Sequence, residues 1–204
     1  MPELPNDPIS PRQFMEEFIP AALKEATLDA ETDVKLGVKI DGEGGGEWVL
    51  HISGGSFQVD QKDRQEAAFT LVQTVDDWRG ALWEGRGGVF GEQASALLTS
   101  GAAGSEDAPP PNTKVMDQLA ALGGMIQVTV TGGTGGDWST GFKLGPGELP
   151  DQPTTEIKIA AEDAEAMQNG SLDPMQAFMS GKIQVIGDMA LMMQMQAIAM
   201  QAGS

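Results

Sequence analysis

Ile40-Asp-Gly-Glu-Gly-Gly-Gly-Glu-Trp48 and Val130-Thr-Gly-Gly-Thr-Gly-Gly-Asp-Trp138 align without a gap at a constant offset of 90 residues. Gly42, Gly45, Gly46 and Trp48 fall on Gly132, Gly135, Gly136 and Trp138, and Glu47 falls on Asp137. The flanks agree as well. Val34, Leu36, Val38 and Ile40 alternate with Lys35, Gly37 and Lys39, as Ile126, Val128 and Val130 alternate with Gln127, Thr129 and Thr131. Period-two alternation marks a strand with one buried face. Each strand therefore enters a glycine-rich hairpin loop and returns from its Trp, over 48–52 and 138–144. Neither loop fits the G-x-G-x-x-G or P-loop spacing and neither leads into a helix, so a phosphate cradle is set aside.

A third strand follows each hairpin, over 69–74 and 155–160, and each runs into acids that open a helix: Asp76-Asp77-Trp78 and Glu162-Asp163-Ala164. Carboxylates in a first turn complement the helix dipole and cap free N–H groups. Adjacent acids at a helix start point in different directions, so capping outweighs a general acid–base pair. At the N-terminus Ser10, Pro11 and Gln13 spell a capping box, and Phe14, Phe18 and Ala22 form an apolar stripe that Pro20 is expected to kink. The second copy has a shorter helix, 115–122, and the first ends in an amphipathic helix, 89–100. The stretch 101–112, rich in Gly, Pro and polar residues, separates them. The expected organisation is a first unit at 1–104, a linker at 105–112 and a second unit at 113–204.

The net charge is −18, so phosphate backbones and anionic headgroups are repelled and nucleic acid is excluded as a partner. Cysteine is absent, which removes disulfides, a thiol nucleophile and Cys-based zinc sites. His51, the only histidine, lies on a strand with no Ser or acid adjacent in sequence, so neither a triad nor a metal site is expected. No apolar run is long enough to span a membrane and no signal peptide is read, so a cytoplasmic, non-enzymatic protein without a cofactor is expected.

From Thr155 onward the chain resembles the sterol carrier protein 2 family. The residues that carry the resemblance are the acid-opened helix 162–169, Gly170-Ser-Leu172-Asp-Pro174, Ala177-Phe178, Gly181-Lys182, the strand 183–186, Gly187-Asp188 and the apolar helix 189–200. The first copy is similar to the other end of the same pattern, through Phe14-x-x-x-Phe18-x-Pro20, the strand from Trp48 to Gly55, and Phe69 to Leu82. It then departs, because Gly85-Arg-Gly-Gly lacks the Ala-Phe and Gly-Lys elements.

The resemblance implies an α+β fold. Two sterol-carrier-like units, degenerate at different ends, each form a mainly antiparallel, twisted sheet with helices on one face. It further implies an apolar tunnel between sheet and helices, filled by a fatty acyl lipid or a sterol-like molecule. The tail helix is apolar almost all round. Leu191, Met195 and Ile198 are expected against the sheet, and Phe178, Met179, Met189, Met192, Met193 and Met195 are expected to line the ligand space. The alternative is that these side chains fill a closed core. The molecule is then a structural or interaction module, or an accessory subunit of a larger complex, and the Met-rich helix meets a second copy or another protein.

Overall fold

The structure is a computed structural model that describes residues 4–23, 33–61, 64–100 and 113–202. The expected linker, and with it the boundary at 104–105, lies outside the described residues. The fold is α+β. Among the described residues eight strands form one sheet: β1 (Asp33–Asp41), β2 (Gly46–Ser53), β3 (Ser56–Asp60), β4 (Phe69–Thr74), β5 (Met125–Thr131), β6 (Trp138–Leu144), β7 (Thr155–Ala160) and β8 (Ile183–Gly187). The helices are α1 (residues 11–23), α2 (Val75–Trp83), α3 (Gly88–Ser100), α4 (Thr113–Leu122), α5 (Ala161–Gln168), α6 (Pro174–Met179) and α7 (Met189–Ala202).

The strand order is β3-β2-β1-β4-β6-β5-β7-β8. The two halves repeat one pairing scheme. In the first half the β1–β2 hairpin is antiparallel and β4 lies parallel to β1; in the second the β5–β6 hairpin is antiparallel and β7 lies parallel to β5. They differ at the flanks. The first half adds β3 beside β2, whereas the second adds β8 beside β7. At the middle of the sheet β4 pairs antiparallel with β6, so each half occupies the edge where the other adds no strand of its own. The strands expected in two sheets thus run as one. An unpaired strand edge exposes a row of N–H and C=O groups, and joining the halves satisfies both inner edges together.

One face of the sheet is apolar throughout, as the alternation predicts. Val34, Leu36, Val38 and Ile40 are buried with Leu50, Leu71, Val128, Val130 and Ile159, while Lys35, Lys39, His51, Glu156 and Lys158 stand on the opposite face. Phe14, Met15 and Ile19 of α1 are fully buried on the apolar face, where Phe14 meets Trp78 and Trp83 edge-on. One core cluster joins these residues to Val130, Trp138, Ile159 and Ala164 of the second half. A second cluster, Ile126, Val128, Leu144, Ile157 and Leu191, is drawn from the second half, with Phe69 and Phe90 of the first half packed against it.

The capping box forms as read: Ser10 Oγ accepts from the Gln13 N–H at 3.2 Å, and Gln13 Oε1 accepts from the Ser10 N–H at 3.3 Å. Pro20 does not break the helix. A π-turn at Phe14–Phe18 precedes it, with the Ile19 N–H bonded to the Phe14 carbonyl, and this wider turn accommodates a residue that cannot donate. In the first hairpin Gly46 is required by close approach, because a Cβ there would sit 2.7 Å from the Trp48 ring. The strand β3 was not read from the sequence; its alternation, Ser56-Phe-Gln-Val-Asp60, is short and lies directly behind a turn.

Candidate functional site

The segment that follows α5 is built from local signals. Asp173 is the N-cap of α6, accepting from the Met175 and Gln176 N–H groups at 2.9 and 3.0 Å, with Pro174 at the first position. Gly181, at φ +76°, ends it, and the Lys182 N–H returns to the Ala177 carbonyl at 2.9 Å. The edge strand β8 then pairs with β7. Asp188 caps α7, its Oδ1 accepting from the Ala190 and Leu191 N–H groups at 2.8 and 3.2 Å. Lys182 reaches back to the buried carboxylate of Asp163.

Leu191 and Ile198 turn inward, as expected. Met192 and Met195 are half-buried, packed on the cluster of Ile126, Val128, Leu144 and Ile157. The other four predicted residues do not enclose a hollow. Phe178 and Met189 are each 43% exposed, Met193 64% and Met179 81%. With Met175 and Ile186 they are the exposed large hydrophobic residues among the described residues, and all six fall within positions 175–193. The structure therefore exposes apolar side chains on α6 and α7, beneath which Met192 and Met195 join the core, while Ile186 of β8 is exposed on the opposite face of the sheet. Single exposed apolar residues need no explanation, but several in one short stretch mark a binding surface. Between positions 174 and 195 the charged residues are Lys182 and Asp188 alone, so this surface is neutral within a chain of net charge −18.

Two cavities lie elsewhere. One of about 330 Å³ is lined by Glu47, Trp48, Gln61, Arg64, Gln65 and Glu66 on the first half. Its wall is ionic: Arg64 Nε donates to Glu47 at 2.8 Å, and the Trp48 Nε1–H bond to Glu16 holds that carboxyl below the usual range. Lys143 is buried near Arg64, donating to the Gly145 and Pro146 carbonyls, and burial first, then the Arg64 charge, pulls its pKa down.

The other cavity, about 300 Å³, lies where the halves meet, between the Gly85-Arg86-Gly87-Gly88 loop and the second glycine-rich hairpin. Arg86 is the tie there. It donates to Asp76 at 2.7 Å and to the Asp137 carbonyl at 2.7 Å, and the bond from Arg86 lowers the Asp76 pKa. The sequence flagged Gly85-Arg86 only as a departure from the family pattern. Neither cavity includes any of the six predicted residues.

Two readings are corrected at these places. The side chain that caps α2 is Thr74, which accepts from the Asp77 N–H at 3.0 Å. The Asp77 carboxylate instead crosses to Ser139 of β6. His51 does have an acid beside it, in space and not in sequence: Asp33 Oδ1 lies 2.8 Å from its Nε2, on the solvent face of the sheet. Among the described residues no group of three His, Cys, Asp or Glu side chains is placed to hold a metal ion, and no helix is long and apolar enough to cross a membrane.

Over the second half the sequence matches known proteins. Residues 106–200 match the SCP-2 sterol transfer family, so the likeness to sterol carrier protein 2 read from the tail extends over that whole segment. Hydroxysteroid dehydrogenase-like protein 2 of Bos taurus is 33% identical over 93 residues, which cover 43% of this chain and 22% of that protein. Sterol carrier protein 2 of Oryctolagus cuniculus is 34% identical over 89 residues, covering 40% of this chain and 16% of that protein. The chain thus spans about a fifth of the length of the curated relatives it matches. Among solved structures, the sterol carrier protein domain 2 of Helicoverpa armigera aligns with a TM-score of 0.31 at 24% identity, over 42% of this chain and 73% of that one. Sterol carrier protein 2 from Yarrowia lipolytica in its apo form aligns with a TM-score of 0.32 at 14% identity, over 45% of this chain and 78% of that one.

Proposed function

We propose that this chain binds and carries an apolar small molecule, a fatty acyl lipid or a sterol-like compound, without transforming it, and does so in the cytoplasm. The observation that carries the reading is the coincidence of the family match at 106–200 with the exposed apolar surface at 175–193. Phe178, Met179, Met189 and Met193 provide the outer contacts of the ligand, and Met192 and Met195 the inner ones. A bound chain that covers them completes the apolar burial that the polypeptide leaves open. Each methylene removed from water contributes about 0.8 kcal/mol, so a long acyl chain reaches useful affinity from burial alone. Methionine suits this task because its unbranched, polarizable side chain adapts to irregular apolar shapes. Lys182, the one cation between positions 174 and 195, is paired with Asp163, so apolar burial carries the affinity in place of a headgroup charge. Specificity then follows length and shape more than headgroup charge.

The test is uptake of a fluorescent fatty acyl analogue by delipidated, folded protein. Saturable uptake is expected. Phe178→Asp and Met193→Asp, at exposed positions where the fold tolerates a polar group, are each expected to weaken uptake about tenfold or more through lost apolar contact and buried charge. Folded wild-type protein that takes up neither this probe nor a sterol analogue contradicts the proposal.

A further inference from the structure

The two outer edges of the sheet are unlike. At one end β3 alternates half-buried Phe57 and Val59 with exposed Ser56, Gln58 and Asp60, so its solvent face is polar and carries a charge that discourages pairing. At the other end β8, Ile183-Gln-Val-Ile-Gly187, has no charged residue within it and exposes Ile186. Among the described residues no strand pairs with the outer side of β8. Lys182 stands directly before the strand and Asp188 directly after it.

From this we propose that β8 is the pairing edge of a two-fold homodimer, in which two copies of the chain join their sheets through antiparallel β8 strands centred on Val185. That register places Lys182 of one copy opposite Asp188 of the other, twice, so the edge is complementary to itself in charge. Each group keeps its internal role. Lys182 uses one ammonium donor on Asp163, and Asp188 caps α7 through Oδ1, leaving Oδ2 available. A two-fold axis normal to the sheet keeps the helix-covered faces on one side, so the neutral apolar surfaces at 175–193 of both copies lie next to the join. Two molecules of charge −18 repel wherever acidic surface meets acidic surface, and this neutral edge is where two such chains can approach. A bilayer of anionic lipid has no cationic counterpart here. The proposal is independent of lipid binding, because Ile186 lies on the solvent face of the sheet, in register with Glu156, and outside the ligand-lining set.

Sedimentation velocity of the delipidated full chain tests it. The expected species has twice the 21.4 kDa chain mass. Dimerisation is expected to tighten as salt rises toward about 0.5 M, because long-range repulsion is screened while backbone and apolar contacts remain. In the proposed register Gln184 faces Ile186 of the other copy. Ile186→Lys alone, which sets a charge in that contact, is expected to weaken the dimer about tenfold, and Gln184→Glu combined with it to restore the dimer by pairing Glu against Lys across the join. Circular dichroism confirms that each variant is folded. Wild-type protein that is monomeric at both low and high salt overturns the proposal, even where it takes up lipid. Failure of the double variant to regain what Ile186→Lys loses overturns the register.

Discussion

Replacing Trp138 with Ala is expected to lower the free energy of unfolding by about 3–5 kcal/mol, the range for removing a large aromatic side chain from a packed core. Trp138 is 1% exposed and starts β6. Its Nε1–H donates to the Asp77 carbonyl at 2.8 Å, which ties the second hairpin to α2 of the first half. Its ring lies against Gly87, where a Cβ would come within 2.6 Å of it. Truncation leaves a cavity and removes a hydrogen bond between the halves, so two losses add. Urea unfolding followed by circular dichroism checks this. A single, shifted transition is expected, because the core cluster that holds Trp138 spans both halves. An unchanged midpoint shows that the halves are held by something other than this contact.

The second large effect is expected at Asp77. Its carboxylate accepts from the Thr74 hydroxyl at 2.7 Å, the Ser139 N–H at 3.1 Å and the Ser139 hydroxyl at 3.3 Å, with the Arg86 guanidinium at 4.0 Å. The side chain is only 10% exposed. Asp77→Ala orphans the Ser139 N–H and removes one of the two carboxylates beside the buried Arg86 guanidinium, and a loss of about 2–4 kcal/mol is expected. Asp77→Asn keeps an acceptor for Ser139 and loses about half as much. The neighbouring Asp76 supplies the control. Its side chain is 59% exposed, so its ion pairs with Arg79 and Arg86 are screened and Asp76→Ala is expected to cost less than about 1 kcal/mol. Equal losses at the two positions contradict the assignment of Asp77 as the tie between β4–α2 and β6.

These two residues also show where sequence reading reaches its limit. The strands were legible because alternation is written locally: Val34 to Ile40 and Ile126 to Val130 each declare a buried face without reference to the rest of the chain. The caps at Ser10 and Asp173 were legible for the same reason, since donor and acceptor lie within three residues. The joining of β4 to β6 was not. Strand pairing depends on which edges are left over after each half has formed, and no local pattern in Phe69 to Thr74 or Trp138 to Leu144 states it. Asp77 read as a helix-opening acid, because Thr74 three residues earlier and Ser139 sixty-two residues later are equally plausible partners until the sheet is closed. The partners of Arg86 and His51 went unread for the same reason, since Asp137 and Asp33 are distant from them in sequence.

The tail was read with mixed success. Leu191 and Ile198 were placed inward from helical spacing, and that is where they lie. The outward placement of Met179 and Met193 follows from the position of β8 at the edge of the sheet: no further strand or helix lies beyond it among the described residues to cover α6 and the outer side of α7. Apolar content announces that a surface is to be covered, but the side chains alone do not say by what.

Native mass spectrometry of the full chain, purified without detergent or solvent, addresses the carrier reading most directly. The account predicts a fraction of the 21.4 kDa chain carrying an adduct of lipid mass, removed by organic extraction and regained when a long-chain fatty acid or a sterol is added back to folded protein. A bare polypeptide mass before extraction, unchanged after both additions, contradicts it.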